Sequence, residues 1–299
     1  MRRCEVAIPA GDTTIAAWHY AADGTQPRPC VVMAHGFCGT RDAGLAGFGE
    51  RFTDAGIDAL CFDYRGFGAS GGRGRQIVDF VEQQLDYHAA IDAARGLPHV
   101  DGVAIWGTSL SGGHVFAVAT ERQDLIGAIA LTPIVDGQKT VLRMRRSIPP
   151  RAAIRLGAAA IRDAIGARIG QRPVLLPAVG SPGSAAMLTT PDALPGYLAI
   201  ASRAPLWRNA FAARMLLAVP TYRPGLFADR VGCPMLVQIA GADRNAPPDL
   251  SWKAAQLADA VVREYPGAGH FDVYDQGPAF DAVVADQISF LASLSERTR

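Results

Sequence analysis

A chain of 299 residues, 49% hydrophobic and 19% charged, is long enough for one substantial core with a large insertion, and its composition excludes a disordered protein. A formal net charge of +1 and the absence of any recognition motif exclude a nucleic-acid binder. No run approaches the ~18 apolar residues of a membrane span, and Pro9, Gly11 and Asp12 interrupt the start before a secretory signal could form. A cytoplasmic location is therefore predicted. Five cysteines, an odd number with no C-x-x-C and no Cys/His cluster, agree with it and imply no metal.

The first apolar run, residues 30–34, reads as a buried strand leading into His35-Gly36-Phe37-Cys38-Gly39. A second, 57–62, ends in Asp63-Tyr64-Arg65-Gly66-Phe67-Gly68-Ala69-Ser70. Cys30 and Cys61 fall inside these runs, where a free cysteine behaves as a small hydrophobe. Nothing beside Cys38 would lower its pKa, which argues against a chemical role. A third strand, 103–106, runs into Gly107-Thr108-Ser109-Leu110-Ser111-Gly112 and then a helix-compatible stretch, 114–121. Strand, tight turn and helix is the setting of a nucleophile elbow, which lifts a serine hydroxyl clear of the backbone and needs small neighbours. Gly107 and Ser111 supply them, although the second small residue is more usually glycine. Residues 126–131 form the next apolar run.

An insertion follows, with predicted limits 137–226. Residues 137–228 hold one lysine and twelve arginines against two aspartates, a charge of +11 that leaves −10 elsewhere, and 10 of the 20 prolines. Residues 151–169 read as a helix, started by Pro149-Pro150 and stopped by Gly170 and Pro173. Ile154, Ala158, Ile161, Ile165 and Ile169 recur on one face of it, with Arg151, Arg155 and Arg162 on the flank. A second helix is predicted over 197–217, with a break at Pro205, and a loop over 177–195.

Beyond the insertion, residues 234–240 lead to Gly241-Ala242-Asp243, and 261–265 to Pro266-Gly267-Ala268-Gly269-His270-Phe271. Ser109, Asp243 and His270 thus each follow a predicted strand. In an open parallel sheet those strand ends share one edge, where ligands bind.

On these motifs, which span residues 31–271 in order, the chain resembles the α/β-hydrolases of the capped serine-hydrolase type, with esterase, thioesterase and dienelactone-hydrolase relatives. The resemblance implies an α/β fold with a mostly parallel central sheet, helices on both faces and an inserted helical cap; residues 1–136 and 227–299 would form the core. The segment 180–192 also looks like a cap motif of microbial hydrolases. In this reading Ser109 is the nucleophile, His270 its base and Asp243 the acid that orients the imidazole. The backbone N–H groups of Phe37 and Leu110 form the oxyanion hole. His35 and the turn at Asp63–Arg65 are scaffold, and no cofactor is implied. Asp272 and Asp275 lie on the wrong side of His270, and Asp249 reads as a helix N-cap. His114 and Trp106 read as packing, Asp259 and Glu264 as surface residues.

A serine at the elbow argues against the haloalkane and epoxide branches, which use aspartate. Hydrolysis of a carboxylic ester or thioester through an acyl-enzyme is the expected reaction, in an apolar pocket built from Phe37, Phe67, Leu110, Leu206 and Trp207. Amide or peptide cleavage, lactone or C–C hydrolysis, and acyl transfer use the same residues and stay open, as does a catalytically silent binding protein. The basic cap has three readings: a solvated arginine surface, recognition of an anionic substrate, or attachment to an anionic membrane surface, the last allowed but not favoured. Under the second, Arg151, Arg155, Arg162 and Trp207 are the candidate substrate contacts. Oligomeric state does not follow from the sequence.

Overall fold

Short runs rich in Val, Ile, Leu and Ala, buried on both faces, build the centre of the molecule, as parallel strands require. The computed structural model describes residues 2–145 and 148–297. In chain order, strands β1 (Arg2–Ala10), β2 (Thr13–Ala21) and β3 (Arg28–Ala34) precede helix α1 (Ala46–Asp54). Next come β4 (Asp58–Phe62), α2 (Phe80–Arg95), β5 (Val100–Thr108), α3 (Leu110–Glu121) and β6 (Gly127–Leu131). The insertion carries α4 (Gly137–Met144), α5 (Pro150–Arg168), β7 (Leu175–Leu176), α6 (Ala193–Ile200), β8 (Phe211–Ala212) and α7 (Met215–Ala218). Two 3-10 turns (Val219–Thr221, Pro224–Arg230) lead back to β9 (Met235–Ala240), α8 (Pro248–Leu257), β10 (Val261–Tyr265) and α9 (Phe280–Arg297).

The eight-stranded sheet has the order β1-β2-β4-β3-β5-β6-β9-β10. Only β2 runs against its neighbours; every pairing from β4 to β10 is parallel. Alternation along the strands feeds two cores. Val32, Ile105, Tyr87 and Phe116 lie under α2 and α3, while Val31, Met33, Trp106 and Phe48 lie under α1 and α9. The register sets Ala34 beside both Phe62 and Gly107, and Leu131 beside both Thr108 and Gln238. The loops after β3, β4, β5, β6 and β9 therefore open at one edge. This is an α/β-hydrolase fold with an inserted helical region, as the motifs implied.

The β1–β2 hairpin is an element the sequence reading did not name. Its two-residue turn, Gly11-Asp12, places Gly11 at φ 65°, the left-handed region that such turns favour.

Two expectations change, one in the insertion and one beyond it. The helix expected over 197–217, with a break at Pro205, is not present: α6 ends at Ile200, turns follow, and β8 pairs antiparallel with β7. Pro205 lacks an N–H to propagate a helix. Asn209 instead bonds the backbone of Val179 in both directions, its Oδ1 accepting from N (2.9 Å) and its Nδ2 donating to O (2.9 Å). Asp249 is not the cap of α8, since Pro247 stands at that position. It lies in the first turn, where its carboxylate takes two bonds from Arg143.

The third finding concerns α5, which forms as predicted but turns its isoleucine stripe outward. Its packed face carries Ala152, Leu156, Ala160, Asp163 and Gly166.

Candidate active site

Ser109 stands between β5 and α3 at φ 56°, ψ −116°, a left-handed geometry that L-residues rarely adopt. The surroundings hold it there. Its N–H donates to Leu131 O (2.9 Å), and its carbonyl accepts from Ile134 N (2.9 Å). A Cβ on Gly107 would lie 2.2 Å from Ser111 O, and one on Gly113 would lie 2.2 Å from Ile134 O. Strand, helix and the 132–134 segment therefore close on the turn only because those side chains are missing.

Ser111, the departure from the usual glycine, is fully buried and donates its hydroxyl to His35 O. Tyr64 donates its own hydroxyl to Ser111 Oγ (2.7 Å). The elbow helix is thereby tied to the loop at 35–37. Gly36 on that loop packs closely on the nucleophile, for a Cβ there would approach Ser109 Cβ to 3.1 Å. His35 Nδ1–H donates to Gly36 O (2.9 Å), and Nε2 accepts weakly from Tyr64 N (3.4 Å). Burial pushes this imidazole below its usual range, in keeping with a neutral ring that orders the loop. Asp63 accepts from Arg41 N (2.8 Å) and Ala69 N (3.0 Å), so the turn after β4 is scaffold too.

Asp243 and His270 are brought together by lacing between the loops after β9 and β10. Gly241 N donates to Tyr265 O (3.0 Å), and Ala242 N to Ala268 O (2.9 Å). Asp243 Oδ1 is fixed by the N–H groups of Asn245 and Ala246 (2.7 Å each), which leaves Oδ2 for His270 Nδ1 at 2.6 Å. His270 therefore turns its other ring nitrogen away from the carboxylate. Both side chains are almost wholly buried. Asp272 accepts from Gly269 N (2.7 Å) and Asp275 from Gly47 N (3.1 Å), so each of these nearby carboxylates has a structural partner.

Two small cavities meet at Ser109. One is apolar, walled by Phe80, Leu110, Ile134, Met187, Met215 and Tyr222. The other is lined by His35, Tyr197, Ile200, His270, Phe271 and Tyr274. Ser109, Phe37 and Leu188 border both. The Leu110 N–H, first in its helix, has no intrahelical acceptor, and the Phe37 N–H makes no hydrogen bond among the described residues.

Several residues of this site carry no signal in the sequence. Tyr274 accepts from Thr108 Oγ1 (3.0 Å), and burial pushes its phenol well up. The Tyr197 hydroxyl of α6 donates to the carbonyl of Phe37. The segment 180–192 supplies Met187 and Leu188 as roof, and it docks on the acid loop through Asn245. That side chain accepts from Thr190 Oγ1 (3.0 Å) and donates to Asp192 Oδ2 (3.3 Å). Their place depends on contacts between the insertion and the core, which no local pattern encodes.

The candidate contacts on the cap lie elsewhere. Arg151, Arg155 and Arg162 sit on the solvent side of α5, and Trp207 stacks on Tyr197 (ring centroids 5.3 Å apart); none of the four borders either cavity. Leu206 is 47% exposed, and Phe67 is buried against His35, so neither contributes to the walls. Burial pushes the Cys38 thiol well up, consistent with no chemical role.

Comparison with known proteins places this geometry. The chain is similar to the quorum-quenching protein AidA of Acinetobacter baumannii, 37% identical over 290 residues, covering 96% of this chain and 93% of that one. The crystal structure of the α/β hydrolase GrgF from Penicillium superposes with a TM-score of 0.79 at 22% identity, over 97% of this chain and 98% of that one. A complex of DcsB with a substrate analogue gives 0.79 at 22%, over 98% and 99%. The model of the serine aminopeptidase S33 family matches residues 25–276. The protein therefore belongs to that family of α/β-hydrolases and is a hydrolase of the serine esterase and thioesterase type.

Proposed function

We propose that the enzyme cleaves a carboxylic ester or thioester of an apolar acyl group, with Ser109 as nucleophile, His270 as base and Asp243 as the orienting acid. As Ser109 Oγ bonds to the carbonyl carbon, its proton passes to the free nitrogen of His270. The Asp243 bond at 2.6 Å favours the tautomer with the proton on Nδ1 and stabilises the imidazolium that results. The N–H groups of Phe37 and Leu110 receive the developing oxyanion. Each such donor is worth about 3 kcal/mol in the transition state. Collapse expels the alcohol or thiol, which takes the proton back from His270, and water then repeats the sequence on the acyl-enzyme. The cap, residues 137–226, closes over this reaction.

The observation that carries the reading is the position of Ser109 at the seam of two cavities. The apolar one suits an acyl chain, and the one beside His270 suits a leaving group that must be protonated there. Support for an anionic substrate moves from α5 to Arg244, which borders an opening beside Asp243; Arg143 lies on the same opening but is paired with Asp249. Similarity to a polyketide transferase from Penicillium (29% identical over 57% of this chain) keeps acyl transfer as a related reaction of the same residues, and lactone hydrolysis would use them as well.

The test is a panel of p-nitrophenyl esters, acyl-coenzyme A thioesters and lactones, each with and without an alcohol acceptor. Wild type should turn over one class, and Ser109→Ala should lose at least about three orders of magnitude in kcat with its fold intact. A fluorophosphonate probe should label wild type alone. Undiminished turnover by Ser109→Ala would overturn the assignment.

A further inference from the structure

Helix α5 has two apolar faces, and the protein packs only one of them. On the outer side Ile154 is 70% exposed, Ile161 55% and Ile165 56%, with Ile169 at 69% just past the helix end. At 1.5 Å per residue they form a line ~22 Å long. A Cβ built on Gly157, on the same side, would meet nothing within 4 Å. The rotation of the helix is fixed by Asp163 on the inner side. Its carboxylate accepts from Val174 N (2.7 Å), Arg214 N (2.8 Å) and Arg214 Nε (2.8 Å).

The border of the stripe is cationic. By helical spacing Arg151, Arg155 and Arg162 follow one edge and Arg168 the other. All four are exposed, and none has a hydrogen bond or ion pair among the described residues. The only acid of α5 is Asp163, buried beneath Arg214. Elsewhere in the insertion Arg143, Arg214 and Arg223 are neutralised by Asp249, Asp163 and Asp136. Arg145, Arg172, Arg203 and Arg208 also lack an ion pair among the described residues, so four of the eight unpaired arginines described in the insertion border the exposed isoleucines.

We infer that α5 is an interfacial helix that seats the protein on an anionic bilayer surface. A helix lying in the plane of a membrane needs an apolar strip for the acyl boundary and guanidinium groups level with the headgroup phosphates, and this face supplies both. Among the described residues no helix is long and apolar enough to cross a membrane, so the contact is to the surface. A second copy docking symmetrically through the same face would set these arginines against their equivalents, which disfavours a dimer there. The inference is independent of the proposed reaction, because the isoleucines border neither cavity at Ser109.

The test is co-sedimentation of the full chain with vesicles of phosphatidylcholine alone and of phosphatidylcholine mixed with phosphatidylglycerol, at low and high salt. Wild type should bind the anionic vesicles, more weakly as salt rises. The triple variant Ile154→Ser, Ile161→Ser, Ile165→Ser should bind them about tenfold or more weakly, with its thermal midpoint and its turnover of a soluble ester unchanged. Arg151→Gln, Arg155→Gln, Arg162→Gln should lose the preference for phosphatidylglycerol. Absence of wild-type binding, or equal binding by the isoleucine variant, would overturn the inference. So would self-association in vesicle-free buffer that the isoleucine variant abolishes, which would assign the stripe to a second copy.

Discussion

Ser111 shows how a single hydroxyl can replace the glycine usual at an elbow. A small residue is needed there because Gly107 lies against its backbone, yet the Cβ of Ser111 has room and its oxygen reaches His35 O and Tyr64. Removing that hydroxyl leaves two buried polar groups without their partner, at a cost of about 1–3 kcal/mol. It also frees the loop that carries the Phe37 amide. Ser111→Ala should therefore lower kcat by roughly tenfold with little change in KM, the pattern of an interaction felt only in the transition state. Steady-state kinetics on a p-nitrophenyl ester reads this directly. Tyr64→Phe, which spares the bond to His35, should cost less; a rise in KM with kcat unchanged would exclude a role through the loop.

At the level of elements, α5 depends on one acid. Asp163 is buried, which pulls its carboxyl upward, but the bonds from Arg214 and from the amides of Arg214 and Val174 outweigh this and hold it below the usual carboxylate range. Asp163→Ala should strand those amides and detach the helix from α7, costing about 2–4 kcal/mol. Limited trypsin digestion should then cut faster at Arg168 and Arg172, while the circular dichroism of the core persists. The same residue explains what could be read in advance. Strands β3, β5 and β9 were legible because each is an apolar run, and β10 because its short Val- and Tyr-bearing stretch, like β5 and β9, is followed by Gly-bearing punctuation, a purely local signal that also located the loops of Ser109, Asp243 and His270. Helix α5 was legible as a helix, but the direction of its faces was not, because a buried aspartate, with Leu156 and two alanines beside it, outranks four isoleucines once tertiary bonds count. Asn209 likewise replaced a helical stretch with a turn by bonding Val179, thirty residues away in sequence.

On the scale of the whole molecule, acid sensitivity follows from His114, buried between α2 and α3. Its Nε2–H donates to Gln83 Oε1 (3.0 Å), and its Nδ1 accepts from Tyr222 OH (3.0 Å), so both nitrogens are used by the neutral ring. Burial brings its pKa from 6.5 down to about 3. Between those values the unfolded chain binds a proton that the native protein does not. Stability is therefore full above pH 6.5, declines as pH falls toward about 3, and is not lost on the alkaline side. Thermal midpoints measured from pH 7 to pH 4 should fall in the wild type and fall less steeply in His114→Gln; parallel slopes would exclude His114 as the source.

Tyr197 adds a consequence at this same scale. Its hydroxyl, on α6 of the insertion, grips the carbonyl of Phe37, the residue whose amide is the proposed oxyanion donor. Any motion that lifts α6 to admit a molecule must first break that bond and slacken the loop behind it. Access and readiness are thus interlocked: the chamber is slackest when its door is open, and tightens only once whatever has entered is shut inside.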